Sequence, residues 1–345
     1  MPAPNALALK LASLNANGLL HPNPLCPYFT RVSRLCSPHL AVPSAGSAHE
    51  HEDVAHFVAA MQHRTLWLIG DSLSRQHYVS IKCRFWRLMG TPTESTPWPL
   101  EQRDVLCQLK AECFSHGPAR VCLVQDPWLE GKAEGVDCAQ PTALIHLLGN
   151  RTHAGLATHA DHVVFNYGEI FVVSVERGAG RARRRIRSAY QIAHSIADLV
   201  YGLRNSSRCS HIPQLMWREV TPQHFFTADG LFKSSRIGFR NRRCRRTAPA
   251  NVSLSNALNL GLNPIFESAG IPIMSVWQLA AQRGSEHPGV TSEQNVTLRT
   301  ANGTKPKLFI DCTHFCEPSP FLAVLVDLAL QLPQAQQPPR LKCGA

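Results

Sequence analysis

The 345-residue chain predicts an α/β fold whose mainly parallel sheet is covered by helices on both faces. Two observations carry that expectation. Short apolar runs alternate with segments of helical periodicity along most of the chain. The composition is 44% hydrophobic and 17% charged, enough apolar mass for a large core and too little charge for extensive disorder.

Residues 1–60, rich in Pro, Ser, Ala and His, read as an irregular lead-in with a short helix near 51–62. Residues 61–335 read as one folded domain and 336–345 as a tail. Thr65–Ile69 is a strand that runs into Gly70-Asp71-Ser72. Ile81, Phe85 and Leu88 share one face, which predicts a helix from about 73 to 89. Residues 91–142 look like an irregular, cysteine-containing insertion in which Arg120–Gln125 is a short strand. His162–Asn166 reads as a buried strand. The stripe of Ile186, Tyr190, Ala193, Ile196, Ala197 and Val200 predicts a helix over Ile186–Leu203. Gln214–Trp217 is a strand, and 226–250 is a second insertion. Ser253 can cap a helix running to about Ala269, with a break expected at Pro264. Ile271–Val276 and Lys307–Ile310 read as strands, and Phe321–Leu332 as the closing helix.

Composition also bounds the environment. Twelve cysteines, together with five N-x-S/T sequons at Asn150, Asn205, Asn251, Asn295 and Asn302, favour an oxidising secretory compartment. Residues 1–25 lack the basic start and clean apolar run of a signal peptide. No stretch reaches about 18 uninterrupted apolar residues, so no membrane anchor is visible in the chain. The net charge of +11 attracts anionic partners. Its densest parts are Arg181–Arg187 and Arg236–Arg246, which read either as solvated surface or as a contact for an acidic polymer. No nucleic-acid-binding module is recognisable, and nucleic acid is not expected as a partner.

Three segments can carry chemistry. Gly70 permits a tight turn, which places Ser72 at the carboxyl end of a strand and the N-terminus of a helix. There the hydroxyl is exposed and the backbone N–H can face an oxyanion. A lone GDS triplet is weak evidence, because Asp71 and Ser72 are also good helix caps. Asp311-Cys312-Thr313-His314 follows a strand, and a spacing of three can put carboxylate and imidazole on one face of a turn. Serine needs such a base, and the base needs an orienting group. Asn166, at the end of another strand, has an amide that can donate to an oxyanion, although a turn-forming Asn is commoner. Cys312 and Cys316 read as ends of separate disulfides to earlier cysteines rather than as a zinc pair, and no metal site is expected.

In chain order, several blocks resemble the PC-esterase / trichome-birefringence-like family, a branch of the SGNH (GDSL) hydrolases. Gly70–Gln76 resembles its GDS block, and Arg120–Leu129 is similar to the block before its insertion. Asp161–Gly168 resembles its D-x-x-V-F-N-x-G block, and Trp217–Phe225 its R-x-x-S-P-x-H-F block. Arg283 to Pro288 resembles the R-x-D-x-H-P stretch, and Asp311–Cys316 the D-C-x-H-W-C signature. The resemblance spans about 61–320. It departs at Phe315, which replaces Trp, and at Glu317-Pro318-Ser319, which replaces L-P-G. A later D-x-W is missing, and so is the glycine pair expected after Phe225, where only Cys244 matches the expected cysteine.

The resemblance implies an SGNH-hydrolase-like three-layer sandwich and O-acetylation of a polysaccharide or glycan in the Golgi lumen. It implies Ser72 as nucleophile, His314 as base and Asp311 as orienter, with Asn166 and the Ser72 N–H as oxyanion donors. Gly70, Asp71, Arg75, Arg218 and His224 fall on matching motif positions near the substrate. No tightly bound cofactor is implied; an acetyl donor, acetyl-CoA among the candidates, would be a co-substrate. The acceptor would be a glycan, an acidic one if the arginine runs contribute. Two alternatives stand beside transfer: hydrolysis by a glycan acetylesterase, and a catalytically silent glycan-binding module.

Overall fold

The computed structural model describes Cys26 and residues 48–95, 110–125, 142–149, 155–167, 179–206, 209–225, 244–247, 254–300, 303–316 and 319–333. Most of the lead-in and of the 226–250 insertion, the 336–345 tail, the side chains of Arg181–Arg187 and most of the Arg236–Arg246 run lie outside the described residues. The elements are, in order, α1 (Ala48–Ala60), β1 (Thr65–Gly70), α2 (Ser72–Met89), β2 (Thr93–Ser95), β3 (Lys110–His116), β4 (Ala119–Gln125) and α3 (Thr142–Leu148). They continue with β5 (His162–Asn166), α4 (Ala179–Arg204), β6 (Gln214–Arg218), α5 (Leu254–Ser268), β7 (Ile273–Met274) and α6 (Trp277–Ala281). β8 (Gly289–Thr300), β9 (Gly303–Asp311) and α7 (Pro320–Gln331) complete the chain.

The main sheet has seven strands in the order β2-β3-β4-β1-β5-β6-β7. β4, β1, β5, β6 and β7 run parallel, and β2 and β3 extend one edge antiparallel. β1 is central, and all six of its residues are buried, as a strand covered on both faces must be. Its side chains alternate between two cores. Leu66 and Leu68 join Phe57, Ile81, Phe85 and Leu325 from α1, α2 and α7. Trp67 and Ile69 join Ile192, Ile196, Val200, Leu262 and Phe266 from α4 and α5. Helices, sheet and helices therefore make three layers, the SGNH-like architecture that the resemblance implies. Fully burying one such aliphatic or aromatic side chain contributes about 1.5–3 kcal/mol, so the two cores dominate stability.

Several expectations change in detail. The stretch read as an irregular insertion supplies the antiparallel strands β2 and β3. Lys307–Ile310 is not part of the main sheet. It belongs to β9, which pairs antiparallel with β8 in a separate two-stranded ribbon. The Ile271–Val276 strand shrinks to Ile273–Met274, because Pro272 lacks an N–H and the Val276 N–H is captured by Glu219 Oε2 at 2.9 Å. α5 passes through Pro264 without ending. The carbonyl that loses its helical partner there is that of Leu260, which is exposed and can turn to water. α1 packs Val54 and Phe57 into the core.

Disulfides staple these elements. Cys26 is bonded to Cys83, Cys113 to Cys122, and Cys244 to Cys312. Cys209 and Cys316 are also disulfide-bonded. No helix among the described residues is long and apolar enough to cross a membrane.

Candidate active site

The chain crosses from β4 over β1 to β5, so β1 is where the sheet reverses its direction of growth. In open α/β sheets ligands bind at this switch point, outside the carboxyl ends of the strands. β1 ends there on Gly70, paired with Asn166 at the end of β5. Gly70 has φ +149°, and a Cβ at this position would collide with the Asn166 carbonyl oxygen and Ser74 Oγ. Only glycine lets the two strand ends close up and turn into α2. Asp71 caps that helix by accepting from the Leu73 N–H at 3.0 Å and the Ser74 N–H at 3.4 Å. Ser72 is consequently the first helical residue, part-exposed at the carboxyl end of β1.

β9 ends on Asp311, and the following turn carries His314 to Ser72 across 242 residues of sequence. His314 Nε2 lies 2.7 Å from Ser72 Oγ, and His314 Nδ1 lies 2.8 Å from Asp311 Oδ2. A carboxylate only accepts, so Nδ1 carries the ring proton and Nε2 is left to accept from the serine hydroxyl. The other Asp311 oxygen, Oδ1, accepts from the main-chain N–H groups of Thr313 and His314, each at 3.0 Å. Burial alone would raise the Asp311 carboxyl. The hydrogen bond and charge of His314, with those two N–H groups, outweigh it and hold the group below its ordinary value. The His314 and Asp311 side chains remain 25% and 19% exposed, so a substrate can reach them from solvent.

The His314 turn is held from every side. Gln76 of α2 grips the Phe315 peptide with both ends of its amide: Nε2 donates to the Phe315 carbonyl at 2.7 Å, and Oε1 accepts its N–H at 3.0 Å. His287 Nδ1 lies 2.6 Å from the His314 carbonyl oxygen. The Cys316 N–H donates to the Glu286 carbonyl at 2.7 Å, and the His224 N–H to the Cys312 carbonyl at 2.9 Å. The Cys244–Cys312 disulfide anchors the turn's start. Such fixation holds reacting groups in one geometry before substrate arrives.

The other residues singled out from sequence have more specific places than their motifs suggest. Asn166 does not offer its amide to an oxyanion. Nδ2 donates to the carbonyls of Arg218 at 2.6 Å and Glu219 at 3.1 Å, which engages both of its hydrogens and ties β5 to the end of β6. Asp71 caps α2. Arg75 is exposed on α2. Arg218 is buried, with Nη2 donating to Ser74 Oγ at 3.3 Å, and Ser74 Oγ donating to the Ile69 carbonyl at 3.2 Å. His224 lies beneath the base turn, its Nδ1 2.7 Å from His287 Nε2. Gln76 and His287 fall inside blocks read from sequence but carried no role there. Their partners lie 239 and 27 residues away, and no local pattern encodes such contacts. Among the described residues, no group of three or more His, Cys, Asp or Glu could hold a metal ion.

A serine hydroxyl bonded to an imidazole that is bonded to a carboxylate is an arrangement suited to nucleophilic attack on an acyl carbonyl. Comparison with known proteins agrees in class. The profile of PC-Esterase, described as a GDSL/SGNH-like acyl-esterase family found in Pmr5 and Cas1p, matches residues 52–321. No curated protein matches the chain. The match begins inside α1, runs through both cores and both site segments, and ends on α7, so the chain belongs to the PC-Esterase family, whose enzymes act on acyl esters.

Proposed function

We propose that this chain transfers an O-acyl group, an acetyl group first among candidates, to a hydroxyl of a polysaccharide or glycan through an acyl-Ser72 intermediate. The observation that carries the reading is the pair of contacts His314 Nε2–Ser72 Oγ at 2.7 Å and His314 Nδ1–Asp311 Oδ2 at 2.8 Å. Ser72 Oγ attacks the donor carbonyl carbon as its proton passes to His314 Nε2. Asp311 stabilises the resulting imidazolium without taking its proton. The oxyanion falls to the Ser72 N–H at the N-terminus of α2, where the helix dipole favours negative charge. The tetrahedral intermediate expels the donor's leaving group, which takes the proton from His314. An acceptor hydroxyl then gives its proton to His314 and attacks the acyl carbon, and the second tetrahedral intermediate expels Ser72 Oγ, which takes that proton back from His314. Acetyl-CoA is a suitable donor class, because a thiolate leaves readily.

Hydrolysis is the second reading, favoured by the family's description as acyl-esterases. Water would take the acceptor's place, and no other group would change role. The disulfides support an oxidising secretory compartment such as the Golgi lumen. The test is incubation with acetyl-CoA or an activated acetyl ester, with and without candidate neutral and uronate-bearing glycans. Wild-type protein should acetylate one glycan class faster than it releases acetate, and Ser72→Ala should do neither. Acetate release unchanged by any glycan would establish the hydrolase. Full turnover by Ser72→Ala would overturn the nucleophile, and glycan binding without turnover in wild type would indicate a silent binding module.

A further inference from the structure

The geometry points to His224 and His287 as a linked positioning pair for the base: two neutral imidazoles, each protonated on Nδ1, that pass a chain of hydrogen bonds into the main-chain carbonyl of His314. The inference rests on His314 acting as the base.

The argument is a count of protons. The chain of contacts is Ala281 O to His224 Nε2 at 3.2 Å, His224 Nδ1 to His287 Nε2 at 2.7 Å, and His287 Nδ1 to His314 O at 2.6 Å. Both ends are carbonyl oxygens, which only accept. Full occupancy would require three ring protons, whereas two neutral imidazoles carry two. Burial holds both rings well below the ordinary histidine value, so the pair is neutral at neutral pH. One contact must therefore lack a proton, and the longest, at Ala281, is the one that does. His224 then donates from Nδ1 to His287 Nε2. Because His287 Nε2 accepts, its proton must be on Nδ1, which donates to the His314 carbonyl.

The result is directional. His224 fixes the tautomer of His287, and His287 fixes the peptide that carries the base. His224 is itself pinned by its main-chain N–H to the Cys312 carbonyl at 2.9 Å. The rings also pack in tilted contacts: His224 against His287 with centroids 4.6 Å apart, His287 against Phe315 at 4.3 Å, and Phe315 against Phe321 at 4.2 Å. His287 reaches the site through the His314 carbonyl and His224 through His287, so both act through His314. Simple packing would need the rings but not their nitrogens.

The test separates those two roles. His287→Phe keeps the ring over Phe315 and removes both nitrogens. His287→Asn restores a donor at the position of Nδ1. The reaction of Ser72 with a fluorophosphonate probe should slow about 10- to 100-fold in His287→Phe, as expected for a displaced catalytic group, and recover substantially in His287→Asn. With an acetyl ester, the loss in His287→Phe should appear in kcat and leave KM nearly unchanged. Equal labelling rates in wild type and His287→Phe would overturn the pair's role while leaving the triad intact. No labelling of wild-type Ser72 would overturn both. A fold-independent check is nitrogen-15 NMR of wild-type histidines at neutral pH. Nδ1–H tautomers at both positions are expected, and a His287 protonated on Nε2 would refute the assignment.

Discussion

Asp311→Asn is the sharpest perturbation of the site, because the structure dictates how the new amide must sit. Asp311 Oδ1 accepts two main-chain N–H groups, from Thr313 and His314. Those groups can only donate, so the asparagine must leave its oxygen with them. Its Nδ2 then faces His314 Nδ1 across 2.8 Å and donates to it. The ring proton is forced to Nε2, which faces Ser72 Oγ at 2.7 Å. A protonated Nε2 cannot accept the hydroxyl proton, so the nucleophile loses its base while every bond that holds the turn survives. The same tautomer reversal in a serine protease costs about 10⁴ in kcat, or roughly 5 kcal/mol of transition-state stabilisation. A comparable loss is expected here for release of nitrophenol from p-nitrophenyl acetate, with the thermal midpoint shifted by only a few degrees. A variant within tenfold of wild type would refute the reasoning, because Asp311 would then not set the His314 tautomer.

Three further predictions concern stability. His77 and His224 are fully buried, and burial holds them down to about 3 and about 4; the charge of Arg218 adds to the effect at His77. The unfolded chain binds more protons below about pH 6.5, so this stability is complete above 6.5 and is lost at up to about 1.4 kcal/mol per pH unit per histidine as pH falls toward the folded values. Asp311, whose value is depressed, loses its contribution only below the ordinary carboxylate range, so the loss between 6.5 and 4 belongs to the histidines. Thermal midpoints should fall steadily from pH 7 to pH 5, and a flat profile would contradict this. Gln76→Leu should cost roughly 2 kcal/mol or more in urea melts by leaving the buried Phe315 N–H and carbonyl unpaired; a cost under about 0.5 kcal/mol would show that the clamp is replaceable. Replacing Cys244 and Cys312 together by Ser opens a closure spanning 68 residues and should cost about 4 kcal/mol, with an unchanged urea midpoint arguing against the bond.

Much of this architecture is legible in the sequence wherever the signal is local. β1, β5 and β6 are short apolar runs, and α2 and α7 carry clear helical stripes, because burial on both faces of a parallel sheet demands such composition. The GDS turn and the D-x-x-H turn are legible for the same reason, since each is built from neighbours in sequence. What escapes is pairing. Lys307–Ile310 looks like any central strand, and only its partner, β8, places it in a separate ribbon. β2 is the edge strand and β3 its inner neighbour, and their polar residues hide both in an apparently irregular insertion. Asn166 appears available at a strand end until the carbonyls of Arg218 and Glu219 close around it. Gln76 and His287 act on a turn distant in sequence, and nothing in their own surroundings marks them.

Mass spectrometry of the intact protein and its peptides, after brief exposure to an acetyl donor, tests the chemistry most directly. The expected result is one acetyl group on Ser72 that discharges on adding acceptor and never forms in Ser72→Ala. Acyl turnover that leaves Ser72 unmodified and persists at full rate in Ser72→Ala would contradict the serine mechanism.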